Sequence, residues 1–571
     1  MTGPSRPSGG LAAQTGGIAA SSRGIEGRRR WIGLVVISLA VSLIIVDSTI
    51  VNVAIPSIVQ DLGIDSTGVQ WVQESYTLVF AALLLVFGTL GDRYGRRRLL
   101  LIGVVVFALS SVVAALAPDG SVLIASRLVQ GVGGAMVLPS TLSLINAGFR
   151  GPERGIAFAV WGSTIGGMSA VGPLLGGWLT TSFSWRWAFG INIPIAAVIV
   201  VGALAAVAES RDGTRRRLDP VGAALSVVAS ASLVFALIEG RTYGWWAVEH
   251  RPRVGSWEWP GVISPIPYVL ALAVIAALAC AFWAIRRDRH GKGSMFSVEL
   301  LRIPSFRNGN IAALIVSLGE FGIILVLPIW LQNVLGFSAL ETGLILLALA
   351  IGSFAASGLA GAVGHRASAV VVVRVGLAAE IAGVAGLGIV IGPDTTWGLL
   401  VPFLFVYGFG VGLATAQLTG VVLQDVPVTL SGQASGTQST SRQIGSALGI
   451  AVLGTVLFSS AAGVLGSSLD ARGVPADQRD SIVAAVVDSS GGAIASLAGS
   501  PATAQAASDS RVAFSEGTRL AAWSAAGFLA VGLLATLSLS RGAGGRRLQG
   551  GPPDEGLAEP SRAGAQRPPV S

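Results

Sequence analysis

The sequence predicts an all-α integral membrane fold of two six-helix bundles with two further helices inserted between them, fourteen spans in all. Three observations lead there. Of the 571 residues 52% are hydrophobic and only 12% charged, against roughly a quarter charged in soluble domains, and the mean hydropathy is +0.71. Apolar windows long enough to cross a bilayer, ~20 residues each, recur fourteen times along the chain. The 38 Lys and Arg residues segregate: with both termini on one side, 27 fall in the termini and loops of that side, eight on the other, and three, Arg127, Arg374 and Arg442, lie inside spans. The positive-inside rule then makes both termini cytoplasmic and requires an even number of spans.

The first six spans run from Trp31 to Ile55, Trp71 to Leu90, Leu99 to Ala117, Ser121 to Ala147, Gly155 to Thr181 and Trp187 to Val207. The first is too long for a cleaved signal peptide, and no small-residue cleavage site separates it from the second. Arginines between Ser210 and Leu218 set these six apart from a pair, Pro220 to Ile238 and Ile263 to Ile285. After Arg286 to Arg302 come Asn310 to Leu331, Leu340 to Val363, Ala369 to Ile391, Trp397 to Leu423, Ser435 to Ser460 and Leu520 to Ser540. The predicted domains are a disordered cytoplasmic N-terminus (1–30), an N-terminal bundle (31–210), the inserted helices with their linkers (211–292), a C-terminal bundle (293–540) and a disordered cytoplasmic tail (541–571). An extracytoplasmic stretch rich in Ala, Ser and Gly (461–517) reads as mobile, except for an amphipathic helix predicted after Pro475. Bundles of this kind commonly carry the substrate path between them.

Composition excludes several classes of function. One cysteine, Cys280, rules out an intrachain disulfide or a CxxC site, and His250, His290 and His365 lie too far apart in sequence for a metal cluster. The lone Lys292 stands in no phosphate-binding loop, so no ATP chemistry, metal or organic cofactor is expected. The net charge of +8 is a topology signal rather than a mark of nucleic-acid binding. The partners expected are the lipid bilayer, protons and a small molecule.

Ionisable residues inside spans are costly and mark function. Asp47, Arg127, Glu320 and Glu380 stand out. Asp47 lies roughly 24 Å from the cytoplasmic end of span 1 and Arg127 roughly 9 Å from the outer end of span 4, levels that nearly coincide across a ~30 Å core. A contact between them would suit proton coupling, or hold two helices in register. Glu320, near mid-depth, suits a cation or a second proton. Glu380, on a helix peripheral to its bundle, reads as structural hydrogen bonding. The turn from Gly88 to Arg98 carries Asp92, Arg93, Gly95 and Arg96; Gly95 suits a positive φ and Asp92 can accept hydrogen bonds from a helix N-terminus.

That turn resembles the GxLxDRxGRR loop of the major facilitator superfamily, and the rest is similar to its fourteen-span drug:proton antiporter branch. Asp47 to Pro56 (DSTIVNVAIP), Arg127 to Ala135 (RLVQGVGGA), Gly162 to Gly166, Gly172-Pro173-Leu-Leu-Gly176-Gly177, Trp185-Arg-Trp187 with Asn192 and Pro194, Leu335 to Ala339, and Arg442 to Gly445 carry the resemblance in order. It implies the major facilitator fold, no enzymatic activity, monomeric function in the cell membrane, and alternating access by rocking of the halves. It also implies proton coupling through Asp47 and Arg127, cytoplasmic gating by Gly88 to Arg98, and helix packing through Gly162, Gly166, Gly172, Pro173, Gly176 and Gly177. By this alignment Asp92 should meet the start of span 13, near Ser435 to Arg442. Asn52, Tyr76, Gln130, Phe321, Trp330, Gln332, Tyr407 and Gln417 are the candidate cavity residues, with Phe80 and Phe405 in support.

The function expected is proton-coupled efflux of amphipathic drugs, cationic ones included. The same machinery would serve to export an endogenous antibiotic, siderophore or amino acid, a reading encouraged by Arg, Ala and Gly usage typical of a GC-rich bacterial genome. A membrane enzyme would need a polar cluster at one face, which the sequence does not show. A sensor or scaffold would need 461–517 to be a folded binding domain.

Overall fold

The computed structural model describes residues 11–539, apart from residues 65, 212–218, 255–256, 291–293, 295 and 364–366. The first bundle comprises α1 (Leu11–Leu62), α2 (Ser66–Tyr94), α3 (Arg96–Ala115), α4 (Gly120–Gly148), α5 (Gly151–Ser182), α6 (Arg186–Gly190) and α7 (Asn192–Ala206). Next come α8 (Pro220–Tyr243) and α9 (Ile266–Arg289), connected through a short antiparallel ribbon of β1 (Arg253–Val254) and β2 (Trp257–Glu258). The second bundle contains α10 (Val298–Arg302), α11 (Pro304–Asn333), α12 (Ala339–Val363), α13 (Ala369–Val390), α14 (Trp397–Leu423), α15 (Ser431–Ala471), α16 (Ala476–Asp488), α17 (Ala493–Ala498) and α18 (Ala504–Ala535). Helices dominate because backbone amides inside a bilayer find partners only within their own segment.

Twelve helices among the described residues are long and apolar enough to cross a membrane, or thirteen when the two parts of α5 count as one span. The tenth predicted span falls on α12, whose apolar run Leu340–Ala356 is shorter than the others. α5 bends by 41° between Met168 and Val171. Pro173 lies just beyond the bend, and its ring removes the amide that would bond the carbonyl four residues back.

With no water inside a bilayer to drive apolar association, close backbone contact holds the helices together. A Cβ on Gly133 of α4 would sit 2.8 Å from the Gly103 carbonyl oxygen of α3, and one on Gly383 of α13 would sit 2.5 Å from the Tyr407 amide of α14. The two bundles meet along α5 against α12 and α14, and along α2 against α15. α8 packs on both α2 and α15, bridging the bundles at one side of their seam, while α9 leans on α8 and leaves Val274, Ile275, Leu278 and Phe282 exposed.

Two sequence expectations need correction. Part of the segment expected to be disordered (1–30) is helical, because α1 starts at Leu11; propagating an existing helix adds one hydrogen bond per residue without a new nucleus. Residues 1–10 and the predicted tail 541–571 lie outside the described residues. The 461–517 stretch is mostly helical: α15 continues to Ala471 and α18 begins at Ala504. Leu465, Leu469, Val486 and Ile494 are buried there, and Phe458 meets Phe514 edge-on at 6.0 Å. These apolar side chains, spaced along Ala-rich sequence, fold the segment back on the second bundle. The helix predicted after Pro475 is α16.

Candidate functional site

Asp47 and Arg127, predicted to lie at one level, meet. Arg127 on α4 donates from Nη1 to Oδ2 of Asp47 on α1 at 2.5 Å, and both side chains are fully buried. The other carboxylate oxygen accepts from Asn192 Nδ2 (2.7 Å) and Gln130 Nε2 (3.3 Å), and both amides also donate to the Ser111 hydroxyl. Arg127 is held from behind: Nε donates to the Val72 carbonyl at 3.1 Å, and the guanidinium lies over the Tyr76 ring at 4.4 Å. One positive and one negative charge thus share a closed polar network drawn from α1, α2, α3, α4 and α7, in surroundings where an unmatched charge would be expensive.

The turn at the arginine-rich face joins the bundles. Gly95 takes φ +111°, letting the chain reverse between α2 and α3. Asp92 accepts from the backbone amides of Gly432 (2.7 Å) and Gln433 (3.0 Å), at the positive end of α15. Its approach is one turn earlier than predicted, because α15 starts at Ser431 and its free amides lie in the first turn. Arg96, fully buried, binds Asp92 Oδ1 through Nε (3.1 Å) and Nη2 (2.7 Å) and also donates to the Val428 carbonyl at 2.6 Å. Gly88 makes the contact close: a Cβ there would lie 2.5 Å from the Gly432 carbonyl oxygen and 2.8 Å from Gly436 Cα. Arg93 lies over the Tyr94 ring at 5.4 Å. Asn146 to Ser431 (2.7 Å), Gln417 to the Gly155 carbonyl (3.1 Å) and Arg154 to the Gly420 carbonyl (3.0 Å) complete the closure of this face.

The glycines of α5 divide between two faces. Gly162 and Gly166 press on Ala416 of α14 and Ser353 of α12, across the seam, with a Cβ on either lying 2.6 Å from its neighbour. Gly172 and Gly176 press on α1, against Thr49 and Ile50. Gly176→Leu would put its Cβ 2.9 Å from the Ile50 carbonyl oxygen, a backbone atom that cannot yield; we expect a loss of about 1–3 kcal/mol in thermal unfolding of the purified protein. Gly177→Ala, whose Cβ meets Leu340 at 3.7 Å, should leave the melting temperature unchanged.

In the second bundle, Glu320 of α11 accepts from the Thr415 hydroxyl and lies 3.7 Å from Arg442 of α15, while the Tyr407 hydroxyl donates to the Glu320 carbonyl at 3.1 Å. Each bundle therefore buries an acid against an arginine. The sequence profile of the Major Facilitator Superfamily matches residues 37–247 and again 219–450. The chain belongs to the Major Facilitator Superfamily. It is 32% identical to the multidrug resistance protein Stp of Mycobacterium tuberculosis over 81% of this chain and 82% of that one. It is 33% identical to the puromycin resistance protein pur8 of Streptomyces alboniger over 76% of this chain and 84% of that one. Among solved structures it resembles the human organic anion transporter MFSD10 with a TM-score of 0.56 at 14% identity, over 89% of this chain and 99% of that one, a likeness of fold alone.

The predicted cavity residues whose side chains the structure describes make separate contacts in this major facilitator protein. Gln130 and Tyr76 belong to the Asp47 network. Trp330 is buried in the second bundle, donating to the Ser515 hydroxyl at 3.1 Å, and Tyr407 is committed to Glu320. Gln417 closes the arginine-rich face, and Gln332 is exposed at the end of α11. Phe321 is half-buried; Phe80 stacks on Tyr76 at 5.7 Å, and Phe405, partly exposed, on Phe409 at 6.4 Å. The side chain of Asn52 lies outside the described residues. Apolar helices carry no stripe that says which way a polar residue turns, so depth was readable and direction was not.

Some participants escaped the sequence reading. Ser111 completes the Asp47 network together with Gln130, which was expected in the cavity, and a match of polar residues by depth would have found Ser111. Glu74 of α2 and Glu239 of α8 face each other where the inserted helix meets the first bundle, beside Trp71 and Phe235, whose rings lie 6.5 Å apart. The sequence signal for both was a carboxylate in or beside an apolar window.

Proposed function

We propose that this transporter exports amphipathic drugs, cationic ones included, in exchange for protons. The observation that carries the reading is the Asp47–Arg127 pair, sealed from solvent and matched charge for charge. A proton arriving on Asp47 removes its charge and leaves Arg127 seeking another partner; a proton leaving restores the pair. Each change alters the contacts of five helices at once, and this makes the protonation step a lever on conformation. The reading takes the arginine-rich face as cytoplasmic, with both termini there, fourteen spans, and a monomer in the cell membrane needing no cofactor. The described conformation is then the one closed to the cytoplasm by Asp92 and Arg96. Relatives named for multidrug and puromycin resistance support the substrate class. A charge crossing 100 mV releases ~2.3 kcal/mol, beyond what the pH gradient itself supplies.

The test is ethidium efflux from proteoliposomes under an imposed pH gradient. Native protein should lose efflux when the gradient is collapsed, and Asp47→Asn should show no gradient-driven efflux. Efflux by Asp47→Asn at the native rate would sink the coupling role. Folded native protein that moves no dye would redirect the reading to an exporter of one endogenous product.

A further inference from the structure

Glu380 was expected to make structural hydrogen bonds, and it makes none: its side chain is fully buried in the middle of α13, and among the described residues neither carboxyl oxygen has a hydrogen-bond partner. The fold makes room for it. On the facing helix α14 stands Gly410, where a Cβ would lie 2.6 Å from Glu380 Cγ. The ionisable groups whose fields reach this carboxyl are Glu320 from α11, Arg442 from α15 and Tyr407 from α14. α18, packed on the other side of α13, has no ionisable residue from 520 to 535.

The charge count is decisive. Two carboxyl groups and one guanidinium occupy this interior, and Arg442 is already paired with Glu320, which also accepts from Thr415. An ionised Glu380 would be a second negative charge with neither a hydrogen bond nor a cation of its own, far more costly than a buried neutral acid. Neutrality is reached with a single proton, on Glu380. We propose that Glu380 and Glu320 together form a second proton site, sharing Arg442 and one proton that Glu380 holds in this conformation, so that a transport cycle handles two protons, one here and one at Asp47. This deepens the antiport reading above and rests on it for the transport step alone. When α15 moves and Arg442 turns to Glu380, the O–H bond of Glu380 breaks and an O–H bond forms on Glu320. Arg442 stays protonated throughout, and only the proton changes holder.

Infrared spectra of the reconstituted protein distinguish the carbonyl stretch of a protonated carboxylic acid from the bands of a carboxylate, and need no transport. The native spectrum should show the protonated band, Asp47→Asn should retain it, and Glu380→Gln should lose it. Glu320→Gln supplies the sharper test and does not depend on Glu380→Gln folding: with Glu320 neutral, Arg442 has only Glu380 to pair with, so Glu380 should ionise and the band should vanish there too. A glutamic acid that merely fills space would keep its proton in Glu320→Gln, and a persisting band overturns the shared site. In weakly buffered proteoliposomes the protons moved per ethidium should fall from two to one in Glu380→Gln. An unchanged ratio beside a lost band would keep the proton on Glu380 but overturn its part in the cycle. Absence of ethidium transport by native protein would fall on the export reading and leave the spectroscopic result standing.

Discussion

Arg127→Leu is expected to destabilise the protein by about 3–5 kcal/mol, the cost of leaving a buried carboxylate without its cation, and most of that loss should disappear when Asp47→Asn is added. Asp47 would retain its bonds from Asn192 and Gln130, which supply dipoles but no charge. A leucine also forfeits the hydrogen bond to the Val72 carbonyl and the stacking on Tyr76, so the double variant should remain modestly below the native protein. Thermal unfolding of the four proteins in detergent closes the cycle, and the coupling between the two positions is the quantity of interest. Additive losses would mean that Asp47 and Arg127 do not act as a pair.

The second large effect is expected at Asp92. Its carboxylate ties two backbone amides at the start of α15 to Arg96, and all of them are buried only while the bundles meet at this face. Asp92→Ala would strand the Arg96 guanidinium and free both amides in the closed conformation alone. Losing one partner of a buried pair costs about 3 kcal/mol or more, which moves a two-state balance toward the open form on the order of a hundredfold. Ser435→Cys, made in a Cys280→Ser background, reports this directly: Ser435 is fully buried behind the closure, so its alkylation rate should rise by a similar factor in Asp92→Ala. An unchanged rate would show that the Asp92 contacts do not hold the face shut.

What the sequence disclosed and what it withheld follow from the physics of apolar helices. Hydropathy discloses where a helix lies and how far along it a residue stands, so Asp47 and Arg127 could be matched by level alone. The resemblance added that the Asp92 turn should reach the start of the thirteenth span, correct to within a turn. Rotation about the helix axis was not legible, since α4, α5 and α14 are apolar on every side; Tyr407 therefore turned to Glu320, and Gln417 to α5, instead of into a common cavity. The reach of α15 and α18 beyond their apolar windows was hidden by the same Ala, Ser and Gly that read as loop. Glu380 was visible as a charge, but only the packing of Gly410 against it shows that it is buried without a partner. Glu74 and Glu239 become a pair only once α8 is laid on α2.

α15 is one continuous helix of 41 residues, about 60 Å from end to end. Its first turn is gripped by Asp92 and its last turns carry Leu465 and Leu469 into the folded cap with α16 and α17. A rod of that length works as a mechanical amplifier: a tilt of about 5° at the gripped end sweeps the far end through about 5 Å. The state of the latch is therefore written on the opposite surface, where a dye attached to the cap could read it, and where a molecule that clamps the cap would stall the transporter.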